Sequence, residues 1–301
     1  MTFVSRVRNV VDGVLLLNKP RGLSSQQAVS KVKRLFAARK AGHTGTLDPM
    51  ADGLLPIGLG EATKFSQFVL DSDKGYLATL QLGVTTNTGD AEGDIIQELP
   101  VAVSGEEIDV VLRGLTGPQT QTPPMYSAVK IDGKPLYAYA REGVVVERKS
   151  RFIRIDEIHL IDFKYNFVKI RVLCSKGTYI RVLAEDIGAA LGCGAHLTAL
   201  TRERAGTFKL ANAVSIIELE AMDMQQRLAR LLLPDMFASG LPRLDMEAGA
   251  QQQIISGQMV GLPEITPGQY RLYGVAGTFI GIGIVAAGEL RAHRLLSQSQ
   301  Y

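Results

Sequence analysis

Between Ala41 and Gly60 the chain reads AGHTGTLDPMADGLLPIGLG, twenty residues with five glycines and two prolines. Such a stretch cannot carry a long helix, because glycine gives up the most freedom on ordering and proline lacks a backbone donor. A loop with short embedded elements is expected. Upstream, GVLLLNKP (13–20) is an apolar run closed by turn residues, which predicts a buried strand. Ser24 and Ser25 then precede Ala28, Val29, Val32, Leu35 and Phe36 at helical spacing. That predicts an N-capped amphipathic helix with Lys31, Lys33, Arg34 and Lys40 on or near its outer face.

Further along, residues 76–84 alternate as a strand, NTGDAEGD is a polar turn, and residues 105–115 have helical spacing. Residues 151–191 read as three alternating strands followed by a helix from about Val182 to Leu191. Residues 215–238 read as one helix, and QYRLYG, TFIGIGIVAAG and ELRAHRLL as short strands. Hairpin-linked strands with interspersed helices predict a mixed α+β sheet rather than a doubly wound parallel one. The glycine-rich C-terminal strands predict a small β-rich module with its boundary near residue 240.

Composition narrows the class. With 46% hydrophobic residues and 21% charged, the 301 residues have enough apolar material for one large or two modest cores. No apolar run reaches the roughly 18–20 residues of a membrane helix, and MTFVSRVRNVVDG has no signal-peptide pattern. Cys174 and Cys193 are too few for a disulfide framework, so a cytoplasmic protein is expected. The net charge of +3 conceals a strong alternation: +7 over residues 1–50, −8 over 51–125, +6 over 126–210 and −2 beyond. Two basic blocks folded onto one face would make a phosphate-binding surface; alternating solvated faces account for the same numbers.

Two short segments concentrate reactive groups. Gly42-His43-Thr44-Gly45-Thr46-Leu47-Asp48-Pro49 places a carboxylate, an imidazole and two hydroxyls in one glycine-rich loop. Asp48 there can be a nucleophile or general base, and an Asp-Pro turn accounts for the same residues. Ser175-Lys176-Gly177-Thr178-Tyr179-Ile180-Arg181, read as extended, sets Tyr179 and Arg181 on one face, where they can stack a base and hold an anion. An ordinary exposed strand face is the alternative. Tyr76, heading a strand after Gly75, is a third candidate. No P-loop, complete dinucleotide fingerprint, metal-ligand spacing or Gly-x-Ser-x-Gly elbow is present, so neither a metal nor a nucleotide cofactor is expected.

Four blocks together, NKPRGLSS (18–25), GHTGTLDPMADGLLPIGLGEATK (42–64), TPPMYSAVKIDGKPLYAYAREG (122–143) and SKGTYIRVLAEDIG (175–188), resemble the bacterial tRNA pseudouridine-55 synthases, the TruB family of pseudouridine synthases. The resemblance covers roughly residues 12–210, in family order. It implies a pseudouridine-synthase fold, with a central mixed, mainly antiparallel sheet flanked by helices (1–240) and a PUA-like C-terminal RNA-binding domain (241–301). It also implies isomerisation of one uridine in the tRNA T loop, by base flipping and exchange of an N1–C1′ for a C5–C1′ bond, without cofactor or metal.

The family's catalytic aspartate falls on Asp48, with Arg181 as the partner that keeps it charged and Tyr76 stacking on the flipped uracil. His43 falls where the vacated space is filled, Tyr179 and Leu200 fall in the substrate pocket, and Lys19 and Pro20 lie in a motif that braces the active-site loop. Lys130 and Arg141 belong to an insertion (about 123–152) that grips the T stem-loop. Near Leu200 the sequence LTALTRERAGTF is less basic than the family pattern. A monomer without a protein partner is expected. The competing readings are a tRNA-folding chaperone and a hydrolase using Asp48, the latter lacking a second acid at interpretable spacing.

Overall fold

A computed structural model of the chain describes residues 11–297. The N-terminal segment read above for a leader sequence lies largely outside the described residues. A ten-stranded mixed sheet is built from β1 (Gly13–Lys19), β2 (Ala41–His43), β3 (Asp52–Leu59), β4 (Lys74–Leu82), β5 (Gly117–Gln121), β6 (Arg151–Lys164), β7 (Phe167–Cys174), β8 (Ala195–Ala205), β9 (Phe208–Lys209) and β10 (Val214–Ser215). The strand order is β10-β1-β3-β8-β4-β7-β6-β5, with β2 beside β3 and β9 beside β8. Only β10–β1 and β3–β8 are parallel, so the sheet is mixed and mainly antiparallel. Among the described residues no helix is long and apolar enough to cross a membrane.

The unbroken apolar run of β1 follows from burial on both faces. Leu15 and Leu17 enter the main core with Ala28, Val29 and Val32 of α1 (Ser25–Leu35), its C-cap residue Phe36, and Ile108 and Leu112 of α2 (Gly105–Gly114). Val14 and Leu16 enter a second cluster with Phe65 and Phe237 that continues into Tyr273, Phe279 and Ile282 of the C-terminal sheet. Helix α1 begins as its sequence predicts: Ser24 accepts from the Gln27 N–H, and the Gln27 side chain accepts from the Ser24 N–H. This reciprocal cap satisfies two otherwise orphan donors.

Three expectations fail for identifiable reasons. The glycine-rich stretch contains an eight-residue central strand, β3, paired with β1 along its length. Pro56 is tolerated because on its other side β3 pairs with β8 only at residues 52–53 and with β2 only at 57–59. Its missing N–H falls in that gap, where the Pro56 carbonyl instead receives the Thr44 N–H. Residues 151–174 form two long strands rather than three, turning at Tyr165, which has φ 56°. The single helix predicted for 215–238 is broken into Ile216–Ala221, Met224–Leu228 and a 3-10 turn at Pro234–Ala238, the first two each with its own capping box.

A second sheet, β11 (Arg243–Asp245), β12 (Val260–Gly261), β13 (Gly268–Tyr273), β14 (Phe279–Ala286) and β15 (Glu289–Leu295), has the order β11-β13-β14-β15-β12. Its three long strands are those expected from the sequence. It meets the first sheet through the shared aromatic cluster and through Asp235, which accepts from the Tyr273 hydroxyl.

Gly53 is the tightest point of the β3–β8 contact. It has φ +99°, and a Cβ there would lie 2.5 Å from the Arg202 carbonyl oxygen. Gly53→Ala should therefore destabilise the fold by at least about 1–3 kcal/mol, read from urea unfolding. An unchanged unfolding midpoint would refute this account of the contact.

Candidate active site

Asp48 sits in the loop between β2 and β3, and contacts distant in sequence hold that loop. The Ser25 hydroxyl, at the start of α1, donates to the Leu47 carbonyl (3.0 Å) and accepts from the Leu47 N–H (2.8 Å). The Gly22 N–H donates to the Pro49 carbonyl, and Arg21 donates to the Met50 carbonyl. Leu47 and Ala51 are buried on either side, so the carboxyl is presented from a fixed backbone.

Arg181 enters from the first turn of α3 (Ile180–Ala190). The segment around it is not extended as predicted: Tyr179 is the N-cap residue of α3, and the residues before it form a turn. Tyr179 and Arg181 nevertheless both reach the same cleft. The Gln121 side chain pins Tyr179 by accepting from its N–H (2.7 Å) and donating to its carbonyl (3.1 Å). The Arg151 guanidinium lies over the Tyr179 ring, 4.7 Å from its centroid.

The Arg181 guanidinium is almost wholly enclosed. Its Nη2 lies 3.0 Å from Asp48 Oδ2 and its Nε 3.5 Å from Asp90 Oδ2. Nη1 donates to the Thr88 carbonyl and Nη2 to the Tyr126 carbonyl. Asp90 is itself fixed, because its Oδ1 accepts from the Thr88 hydroxyl (2.6 Å) and the Glu92 N–H (3.1 Å). Burial pushes the Asp48 carboxyl above its ordinary 3.8; Arg181 opposes the rise and Asp90 adds to it. The guanidinium thus limits a burial-driven upward shift without cancelling it.

Asp48, Tyr76, Tyr179, Arg181, Leu200 and Arg202 converge on a cleft of about 330 Å³. Tyr76 and Leu200 come from the adjacent strands β4 and β8 and are nearly buried. Burial pushes the Tyr76 phenol up to about 12, so it is neutral at ordinary pH. A second cavity of about 560 Å³ shares Asp48 and Arg181 with the first and is lined by His43, Asp90, Glu92, Tyr126, Tyr137 and Arg141. His43 faces this second cavity, its Nδ1 accepting from the Gly45 N–H, and burial lowers its basicity.

Two predicted site residues stand outside the lining of both cavities. Lys19 lines neither cavity. Its fully buried ammonium donates to the Pro20 and Leu23 carbonyls, and burial lowers it to about 8. That role is bracing, since the Pro20–Leu23 turn carries the Gly22 N–H that holds Pro49. Lys130 is exposed on the short hairpin Lys130–Ile131/Lys134–Pro135, next to Val129 of the cleft but itself in neither lining.

The sequence reading missed Asp90, Gln121 and Ser25. Asp90 stood inside a segment read only as a polar turn, and no spacing rule connects it to Asp48. It is a second carboxylate near Asp48, but both face one guanidinium, and Asp90 lines the second cavity, not the cleft that holds Tyr76 and Leu200.

The site can be set beside known proteins. The chain is 50% identical over 291 residues to a tRNA pseudouridine synthase B of Aromatoleum aromaticum, covering 96% of this chain and 94% of the relative. It is 50% identical over 296 residues to one of Methylobacillus flagellatus, covering 98% of each. The chain belongs to the TruB family of pseudouridine synthases. It is therefore an RNA-modifying isomerase. The family's N-terminal domain model matches residues 33–180, a tRNA pseudouridylate synthase B C-terminal domain matches 181–235, and a further TruB C-terminal domain matches 242–296. A crystal structure of a Cbf5-Nop10-Gar1 complex aligns with a TM-score of 0.71 at 26% identity, covering 91% of this chain and 78% of that one.

Arg181→Met leaves Asp48 and Asp90 facing each other without a cation. Breaking such a pair costs about 3–5 kcal/mol; the low end is expected because 35% of the Asp48 side chain reaches solvent. The folded-state carboxyl would rise further, so protonation relieves the loss. Urea unfolding should show the full deficit at about pH 7 and a smaller one at about pH 5. A deficit that grows on acidification would contradict the assignment.

Proposed function

We propose that this protein isomerises uridine 55 of the tRNA T loop, with Asp48 as the carboxylate that assists glycosidic bond exchange. The observation that carries the reading is the Arg181-held Asp48 at the edge of a cleft also lined by Tyr76, Tyr179 and Leu200.

The chemistry requires a base out of its stack, a carboxylate beside the ribose or base, and walls that retain the detached uracil while it turns. Tyr76 supplies a flat face and Leu200 an apolar wall. Arg181 tempers the desolvation of Asp48, so a charged form is available where water is scarce. His43, facing the adjoining cavity, is placed to occupy space the flipped base leaves. Lys19 acts through the aspartate loop and not on RNA. Arg141, which lines the second cavity, and the exposed Lys130 belong to the segment 123–152, whose basic and aromatic side chains suit phosphate contact and stacking. With the boundary at 240/241, the five-stranded PUA-like C-terminal unit adds RNA-binding surface. The enzyme acts as a cytoplasmic monomer.

The test is release of tritium from uridine C5 of an unmodified tRNA transcript. The wild type should release it, whereas Asp48→Asn should bind tRNA with no turnover. Free uracil as product would establish hydrolysis, and binding without turnover by the wild type would restore the folding-chaperone reading. Tyr76→Leu removes the flat face and should reduce turnover far more than affinity. Equal losses of both would make Tyr76 a packing residue.

A further inference from the structure

Arg202 is absorbed by none of the roles above. It lies on β8 directly opposite Tyr76 of β4, 1% exposed, and its guanidinium lines the cleft. Its Nε donates to the Leu54 carbonyl (2.8 Å), its Nη2 to the Gly45 carbonyl (3.2 Å) and its Nη1 to the Thr46 carbonyl (3.5 Å). The Tyr76 side chain faces it across the β8–β4 ladder, and both line the cleft. Among the described residues no carboxylate lies within ion-pair distance of it. Its neighbour Glu203 is displaced by a bulge in the β8–β4 ladder and pairs with Arg171 on the surface.

A buried cation without an acid is costly, and only well-placed acceptors make it tolerable. Here those acceptors are carbonyls of β3 and the aspartate loop, and the Tyr76 phenol lies opposite on β4. Moving any of them strips a buried charge of a partner, so the planar guanidinium acts as a rigid spacer between them.

We propose that Arg202 is a positioning residue for the isomerisation, tying the Tyr76 hydroxyl to the Gly45–Thr46 backbone so that ring and Asp48 loop are held as one unit. The inference rests on the proposed roles of Asp48 and Tyr76. A lysine keeps the charge but cannot span the same set of acceptors.

The test is a double-mutant cycle on the full chain with Arg202→Lys and Tyr76→Phe, which keeps the ring and removes the hydroxyl. The readouts are single-turnover tritium release and tRNA affinity by filter binding. Arg202→Lys should slow release by about 10²-fold, the scale of a misplaced reacting group, with affinity within about twofold. In the Tyr76→Phe background the same change should slow it by at most about threefold, because the coupling partner is already gone. A full loss in both backgrounds, or an unchanged rate in the first, overturns the inference; Arg202→Gln serves the same cycle if the lysine variant does not fold. Turnover by Asp48→Asn would instead defeat the underlying reading, whereas an inactive Asp48→Asn beside a fully active Arg202→Lys would defeat this inference alone.

Discussion

One buried guanidinium organises the site. Arg181 lies between Asp48 and Asp90 and donates its remaining N–H groups to carbonyls of Thr88 and Tyr126. It gathers a loop between β2 and β3, a polar turn after β4, the start of the 123–152 segment and the start of α3. Each of these segments depends on the same cation for its buried acceptors, so none can shift without exposing a charge to an apolar environment. The upward displacement of the Asp48 carboxyl is the residue of that balance.

The sheet serves this arrangement in a specific way. Pairing along β3 leaves an unpaired gap around Leu54–Pro56, and the aspartate loop and Arg202 fill it. The loop is thus hydrogen-bonded to an interrupted ladder on one side and to Ser25 of α1 on the other. A loop held by core elements has little freedom, which suits the orientation-dependent chemistry proposed for Asp48.

Several elements were legible locally because their cause is local. The capping box at Ser24, the apolar stripe of α1 and the two-sided burial of β1 are written in residue spacing. β3 was not legible, because a proline inside a strand is excluded unless a neighbouring strand stops short, which is a property of the whole sheet. The start of α3 was misjudged for a similar reason: SKGTYIR alternates like a strand, and only the Gln121 clamp on Tyr179 shows where the helix begins.

The sequence by itself determined which residue types were present for the chemistry, the carboxylate at 48 with its family motifs, and the α+β class. It could not say that Asp90 shares the guanidinium of Arg181, that Lys19 points into the fold, or that Arg202, opposite Tyr76 on β4, bonds to the aspartate loop. Those relations join residues up to 157 positions apart. They exist only once the strands are in register, since a buried charge finds its acceptors through tertiary geometry and not through spacing along the chain.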